Sequence, residues 1–486
     1  MTDNTLKNRT FYLDQHGCAK NQVDGELLIS RLEKDGWILC EEPSDARLIV
    51  INSCGFIESA KKESLDSLLQ ARASYPGAKI VLAGCLSERY ADVFASDLAE
   101  ADALFGNGDL NRISDVVQSL FPEKQSETVT KPVVTPPQEG VCSGSRTRFL
   151  NFPGSAYVKI TEGCNNCCTF CAIPFIRGEL RSRSIEDICN EIKLLLSDGI
   201  FEINLIGQDL ASYGKGSSDV LVHNAFNSSA SSPLSYLLSS LSSIKGDFWI
   251  RLLYIHPDNF PLDILPVIQK DKRLLPYFDI PFQSGDARII SAMNRHNTPS
   301  QYLSLVEKIR AECASSFYED CAIRTTFLCG FPGETDEEHS HTVRFMKNLE
   351  PDWSGCFVYS KEEDTKAFKL KPQVSKKTAQ KRMEELVCLQ ASVTKSRLAR
   401  HKGRVYTVLI EEVIEDPEAK EGLAIGRAWF QAPDVDGSCV VRYDLDDAKA
   451  RGAVQSGKRV IVSVIGSSDV DIDTVFIRSC FDSPGQ

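Results

Sequence analysis

The 486-residue chain is predicted to be a multidomain α/β protein: an amino-terminal parallel sheet flanked by helices, a central partial β/α barrel, and a small antiparallel β-barrel at the carboxyl end. Three observations predict it. Short apolar runs alternate with helical patterns through the first 120 residues and again from 156 to 359, as parallel sheets require. A proline-, serine- and threonine-rich stretch divides these two regions, and beyond residue 405 the chain becomes β-rich. A prior of about 150 residues per domain gives about three domains for this length. The expected boundaries are 1–120 for the amino-terminal domain, 121–148 for a linker, 149–375 for the barrel, 376–404 for a connecting basic helix, 405–470 for the terminal barrel and 471–486 for a tail.

In the first domain, 11–13, 48–51, 79–82 and 101–105 read as strands, with a helix over 58–73. Cys18, Cys54 and Cys85 each lie just past one of these strands. Strands of one parallel sheet end on the same edge, where open α/β sheets bind ligands, so three thiols far apart in sequence can converge there. Taken singly, each is better read as a small buried residue; three at matching positions favour a metal-cluster site. The neighbouring Gly17, Gly55 and Gly84 let backbone approach an inorganic core.

The linker holds Pro132, Pro136 and Pro137. After it come strand patterns at 156–161, 201–206, 248–254, 277–280, 322–328 and 355–359. Helices are expected over 185–197 behind a Ser184 cap and over 337–348 behind the capping-box pair Thr335 and Glu338. Six such units make an open, partial barrel, and 214–233, rich in glycine and serine, reads as a flexible insertion. The first strand runs into C-x3-C-x2-C: Cys164, Cys168 and Cys171. By cysteine counting, chance produces this spacing about 0.02 times in such a chain. Electron-transfer iron–sulfur centres are normally held by four cysteines, so three leave one iron open to a ligand; a catalytic zinc also keeps an open position. Cys167 interrupts the motif and could pair with Cys164 as C-x2-C.

Loops after the barrel strands build active sites in such folds. Gln208 and Ser212 follow the second strand, Gln283 the fourth, and Gly330 and Gly333 the fifth, making these five residues the candidate cofactor contacts. Gly-Phe-Pro-Gly at 330–333 is also an ordinary strand-to-helix turn.

Residues 371–404 carry ten lysines and arginines against Glu384 and Glu385, with an apolar stripe of Met383, Leu386, Leu389 and Val393, which predicts a helix packed on the barrel with a basic outer face. Strands are expected at 405–410, 422–429, 438–443 and 459–464. From 405 onward 15 acidic residues oppose 8 basic ones, a balance of −7 that repels phosphate backbones and suits a cationic protein. The whole chain, at 55 basic against 67 acidic residues, is −12, so nonspecific nucleic-acid attraction is not expected. It has no apolar run long enough for a bilayer, and 1–10 lacks a signal-peptide core, so a cytoplasmic protein with no membrane association is expected. In a reducing compartment its 17 cysteines point to metal or redox chemistry, and most of the eleven outside the two sets read as buried fillers.

The cysteine loop at a strand's carboxyl end resembles the radical S-adenosylmethionine signature. That likeness implies a 4Fe-4S cluster on Cys164, Cys168 and Cys171, with S-adenosylmethionine chelating the fourth iron. With the three sheet-edge cysteines and the terminal barrel, nearly the whole chain resembles the methylthiotransferase family of radical S-adenosylmethionine enzymes. The resemblance implies a second 4Fe-4S cluster on Cys18, Cys54 and Cys85, a terminal TRAM domain, and insertion of sulfur and methyl into an unactivated C–H bond. One branch modifies adenosine in transfer RNA, the other an aspartate of small-subunit ribosomal protein twelve. Gly17-Cys18-Ala19-Lys20-Asn21-Gln22-Val23-Asp24 is similar to the protein branch's GCPKNxVD, and Asn52-Ser53-Cys54-Gly55-Phe56-Ile57-Glu58-Ser59-Ala60 to its NTCGFIDSA. Arg177-Gly178-Glu179-Leu180-Arg181-Ser182-Arg183 looks like its segment after the radical cysteines, and Ala432-Pro433-Asp434-Val435-Asp436-Gly437 resembles its APEVDG. Ala19 replaces the usual proline, and Gln283-Ser284-Gly285 is closer to the transfer-RNA branch.

The implied chemistry needs a low-potential electron donor and a sulfur source. It begins with S-adenosylmethionine cleaved to a 5′-deoxyadenosyl radical that takes hydrogen from the aspartate β-carbon; sulfur carried by the second cluster traps the carbon radical, and a second S-adenosylmethionine gives the methyl. The alternatives are transfer-RNA adenosine as substrate and, more remotely, a non-catalytic iron–sulfur protein.

Overall fold

The computed structural model describes residues 9–121, 141–225, 231–414 and 421–480. The expected linker lies outside the described residues over 122–140, as do 1–8 of the amino terminus and 481–486 of the expected tail.

Five parallel strands form the first sheet in the order Ile38–Leu39, Thr10–Gln15, Leu48–Ser53, Lys79–Gly84, Ala103–Phe105. Leu48–Ser53 is buried along its whole length, which is why it reads as a continuous apolar run rather than an alternating one. Ile38–Leu39 escaped the sequence reading because two residues show no period. The strand order reverses between Thr10–Gln15 and Leu48–Ser53, and such switch points are where open α/β sheets take ligands. Cys18 and Cys54 follow these two strands and Cys85 follows the next.

Six parallel strands in chain order, Ser155–Lys159, Glu202–Ile206, Trp249–Leu252, Leu274–Asp279, Ala322–Cys329 and Trp353–Val358, make the open half-barrel. The expected first strand, 156–161, is broken at Ile160. Thr161–Glu162 leaves the sheet to pair antiparallel with Arg181–Ser182, closing the base of the cysteine loop. The stretch 214–233 is not the flexible insertion its composition implied: it contains helix Val220–Ala225, and buried Asp219 accepts hydrogen bonds from the backbone N–H of Ser182 (2.7 Å) and Gly216 (2.8 Å). Among it, only 226–230 lie outside the described residues.

Helix Lys376–Ala399 packs on the half-barrel as expected, but its buried stripe is Ala379, Arg382, Leu386, Gln390, Thr394 and Leu398. Met383 and Leu389 sit on the shoulder of that stripe. Part of the supposed basic outer face therefore points inward: Arg382 pairs with Glu334 (2.8 Å) and Asp336 (2.7 Å), and Arg397 and Arg400 with buried Asp352 (3.1 and 2.7 Å).

The terminal domain is a closed five-stranded barrel, Val405–Ile414, Glu421–Arg427, Cys439–Asp444, Ile472–Ser479, Arg459–Ser467. Its closing strand, Ile472–Ser479, corrects the expected boundary at 470: what read as a tail completes the barrel. That strand pairs parallel with Cys439–Asp444, so the barrel is antiparallel except at this one seam. Buried polar Thr474 replaces an apolar residue in the inward register and hides the strand's alternation.

This barrel plugs the amino-terminal end of the half-barrel. Glu202, fully buried, receives Arg251 (2.8 Å) and Arg427 (2.6 Å). Arg251 Nη1 also donates to the Trp429 carbonyl (2.6 Å), and Trp353 Nε1 to that of Phe430 (2.7 Å). Within the motif at 432–437, Asp436 accepts from Tyr277 Oη (2.6 Å) and faces Arg324 (3.3 Å), while Asp434 accepts from Tyr157 Oη (2.9 Å). Asp436 and Glu411, which pairs with Arg427, thus direct their charge inward, and the acidic surface available to a partner is smaller than composition implied.

At the opposite, carboxyl-edge mouth the amino-terminal domain is clamped down by buried ion pairs. Lys159 bridges Asp24 and Glu162 (2.5 Å each), Arg177 bridges the same two carboxylates (2.7 and 3.0 Å), Arg146 joins Glu26 to Glu191 (2.6 and 2.7 Å), and Glu362 receives Lys61 and Arg89 (2.7 and 2.6 Å). Such pairs fix geometry more than they add stability.

Candidate active site

The cysteine loop, 164–171, is anchored at both ends. Cys164 N–H donates to the Gly178 carbonyl (3.2 Å), and Thr169 donates through N–H and Oγ1 to the carbonyls of Met293 (3.1 Å) and Ala292 (2.8 Å). Asp209 ties the loop to the second and third strands: one carboxylate oxygen accepts from Asn166 Nδ2 (2.8 Å) and Ser212 Oγ (2.6 Å), the other from the His256 N–H (3.0 Å). The thiols of Cys164, Cys168 and Cys171 lie within electrostatic reach of one another. Burial pushes the Cys164 thiol up to about 11 and raises that of Cys171 further, the neighbouring thiols adding to the effect. Cys167, the ambiguous member of the motif, is exposed and held in a left-handed conformation (φ 52°).

Gly163 makes the loop possible. Its φ is +75°, and a β-carbon there would sit 2.1 Å from the Glu179 carbonyl oxygen. Gly163→Ala is therefore expected to lose at least the ~1–3 kcal/mol of a non-glycine left-handed residue and to lower iron incorporation, read as iron per chain after anaerobic reconstitution. Gly199→Ala is the control: φ is +87° there, but open space surrounds the site, so stability falls while iron content holds.

The amino-terminal set assembles on the sheet edge. Cys18 caps helix Ala19–Lys34 and Cys85 opens helix Cys85–Arg89. Asn21 laces the loops together: its Nδ2 donates to the carbonyls of His16 (2.8 Å), Asn52 (3.1 Å) and Ser53 (3.2 Å), and its Oδ1 faces the Cys85 thiol (3.7 Å). A β-carbon on Gly55 would meet the Cys85 carbonyl at 2.5 Å, and one on Gly17 would meet the Cys54 Cβ at 3.2 Å, so glycine at both positions permits the three loops to converge. Burial pushes the Cys54 thiol up to about 12 and raises that of Cys85. Burial also acts on Cys18, but Lys20, Arg177 and the first N–H groups of its helix outweigh it and the thiol is lowered.

Two short elements run between the two sets. Arg177, on helix Ile173–Arg177 directly after Cys171, donates from Nη2 to the Cys85 Sγ (3.1 Å). The tripeptide Tyr254-Ile255-His256 spans the gap from the barrel side: the Tyr254 ring lies under Lys20 Nζ, 3.0 Å from the ring centroid, and His256 Nε2 stands 3.9 Å from the Cys168 Sγ. Burial and then Arg295 depress the His256 imidazole to about 4, so it is neutral at pH 7. With Nδ1 accepting from the Asp258 N–H (3.3 Å), its proton resides on Nε2, toward the sulfur. Burial lowers the Lys20 ammonium to about 8, still charged at neutral pH.

Among the described residues no three cysteine, histidine or acidic side chains converge tightly enough to share one metal ion. The thiols of Cys18, Cys54 and Cys85, like those of the loop set, lie within electrostatic reach of one another.

The expected cofactor contacts fall into two groups. Gln208 belongs to the gap: Nε2 donates to Glu162 (3.0 Å), and its buried Oε1 has no partner. Ser212 is held by Asp209, and Gln283, nearly buried, is held in a left-handed conformation (φ 71°). Gly330 and Gly333 turn their open sides elsewhere, toward Ala379 of the connecting helix and toward Arg288, so only their backbone could serve a ligand. Arg177 entered the sequence reading only as part of a motif, and His256 did not enter it at all. The carboxyl-edge rule that found Gln208 would have found His256, two residues past the third strand's expected end.

Comparison with known proteins agrees with this geometry. Residues 10–106 match an uncharacterised protein family, UPF0004; 158–346 match the radical SAM superfamily; 403–477 match the TRAM domain. The TsrM radical S-adenosylmethionine methyltransferase of Kitasatospora setae, solved with tryptophan and a SAM analogue, shares the fold at a TM-score of 0.52 over 72% of each chain, with 12% identity. Fold and site define the class: an enzyme of the radical S-adenosylmethionine superfamily, which carries with it S-adenosylmethionine and a 4Fe-4S cluster. The ribosomal protein uS12 methylthiotransferase RimO of Treponema denticola is 51% identical over 96% of this chain and 100% of its own. Proteins of the same name are 35% identical in Natranaerobius thermophilus (94% and 96% covered) and 37% in Thermotoga maritima (88% and 92%). The chain belongs to the RimO family of radical SAM methylthiotransferases. Among the described residues no helix is long and apolar enough to cross a membrane.

Proposed function

We propose that this protein adds a methylthio group to the β-carbon of an aspartate in ribosomal protein uS12, a cytoplasmic reaction. In this reading Cys164, Cys168 and Cys171 hold the cluster that takes S-adenosylmethionine, and Cys18, Cys54 and Cys85 hold a second 4Fe-4S cluster. The observation that carries it is the bridging of the two cysteine sets by single short elements: Arg177 from the barrel loop to Cys85, and Tyr254-Ile255-His256 from Lys20 to Cys168. When bound, the cofactors supply one-electron cleavage of a sulfonium and a source of transferable sulfur.

The chain's own part is placement. Asp209 and Gly163 fix the cysteine loop, and the ion pairs of Asp24, Lys159, Glu162 and Arg177 hold the two domains at one separation. A low-potential electron donor and a sulfur source are required from outside.

The test is anaerobic turnover of the reconstituted enzyme with S-adenosylmethionine, reductant and sulfide, offered uS12 and transfer RNA in parallel. A methylthio mass gain on one aspartate of uS12, and none on the RNA, is the expected result. A gain on transfer RNA alone overturns the reading, and absence of 5′-deoxyadenosine in every reaction would leave only a non-catalytic iron–sulfur protein.

A further inference from the structure

Lys20 is the second residue of helix Ala19–Lys34, two positions after Cys18, and only 8% of its surface is exposed. Its ammonium lies over the Tyr254 ring. Tyr254 is held there at a left-handed φ of 68°, with its N–H donating to Asp279 (3.2 Å). The other buried cations at this domain junction each pair with a carboxylate: Lys159 and Arg177 with Asp24 and Glu162, Arg146 with Glu26, Arg89 with Glu362. Asp279, near Lys20 on the barrel side, is engaged by Arg324 (3.1 Å). Among the described residues no carboxylate pairs with Lys20.

A ring face compensates a desolvated ammonium only in part, and an unpaired buried charge is costly. Cys18, Asp279 and Glu162 act on the ammonium from nearby without forming an ion pair with it, so it keeps a place for an anion in the gap between the cysteine sets. Resting on the proposed function, we propose that Lys20 binds the carboxylate of the target aspartate and so aims its β-carbon at the Cys18 side of the gap. In aspartate the β-carbon carries the carboxyl group directly, so gripping the carboxylate fixes the reacting carbon. Glutamate would set its β-carbon one methylene away, and asparagine would present no charge. Selection of aspartate thus follows from one side chain placed two residues from a cysteine of the sulfur-side set.

The experiment compares binding of uS12, and of uS12 with the target aspartate changed to asparagine, to the reconstituted holoenzyme and to its Lys20→Met and Lys20→Arg variants, with iron per chain measured on each. The parent is expected to prefer the aspartate form by about tenfold or more, Lys20→Met to bind both forms equally, and Lys20→Arg to recover part of the preference, all with parental iron content. An unchanged preference in Lys20→Met overturns the proposal. So does loss of iron in both variants, which would assign the ammonium to the cluster. Failure of the parent to modify or bind uS12 at all removes the proposed function and this inference with it, whereas a parent that modifies uS12 beside a Lys20→Met variant that keeps the parental preference removes the inference alone.

Discussion

Replacing Cys18, Cys54 and Cys85 together with alanine will halve the iron held after reconstitution, from about eight atoms per chain to about four, and will abolish methylthio transfer while S-adenosylmethionine is still cleaved to 5′-deoxyadenosine. The separation of the two outcomes follows from where the cysteines sit. The first three project from one edge of the amino-terminal sheet; Cys164, Cys168 and Cys171 lie on a barrel loop whose anchors, Gly178, Ala292, Met293 and Asp209, all belong to the barrel. Removing the sheet-edge thiols leaves the anchors of that loop in place; on the helix behind it the Arg177 bond to Cys85 and the packing of Cys85 against Ala172 and Ile176 are lost, while Arg177 keeps Asp24 and Glu162. Changing Cys168 alone to alanine should abolish cleavage and transfer together. Iron counts equal to the parent in the triple variant would show that the sheet edge holds no cluster.

Glu202→Ala is expected to destabilise the protein by about 3–5 kcal/mol, because removing one partner of a buried ion network strands the others. Both carboxylate oxygens are engaged, by Arg251, Arg427 and Ser155, and neither arginine has exposed surface on which to be resolvated. Burial alone would raise the Glu202 carboxyl, but Arg427 and then Arg251 outweigh it and hold it far below the ordinary 4.5. Its folded pKa lies below its unfolded one, so the contribution is complete above about pH 4.5 and lost as pH falls below that. Urea unfolding of the apoprotein should show a difference between parent and variant that is constant from neutral pH to about pH 5 and shrinks on further acidification. A difference under ~1 kcal/mol at pH 7 would mean that the terminal barrel is not held by this network.

Which features were legible in the sequence follows a physical division. The cysteine sets were visible because the carboxyl-edge rule converts strand positions into spatial ones, and the strands over 48–53 and 322–329 announce themselves by composition. Strand Ile472–Ser479 was not visible, because its inward register includes Thr474 and its partner Cys439–Asp444 lies more than 25 residues earlier. The inward turn of Arg382, Arg397 and Arg400 was equally hidden: a basic run looks the same whether water or Asp352 and Glu334 answer it. The motif at 432–437 was noticed as a likeness, but its physical reason, the insertion of Asp436 between Tyr277 and Arg324 with Asp434 accepting from Tyr157 beside it, exists only in three dimensions. Lys20 stood in a quoted motif with no role until Tyr254 was found beneath it.

The plugging of the half-barrel by the terminal domain also governs how a large substrate can be read. A module pinned by Glu202, Arg427 and Asp436 cannot swing on a tether, so whatever surface it offers stays at a constant offset from the reacting centre. The enzyme then works as a gauge: a segment that docks there must span a set length to deliver its side chain, and lengthening or shortening that segment in the substrate would defeat modification even with every contact intact.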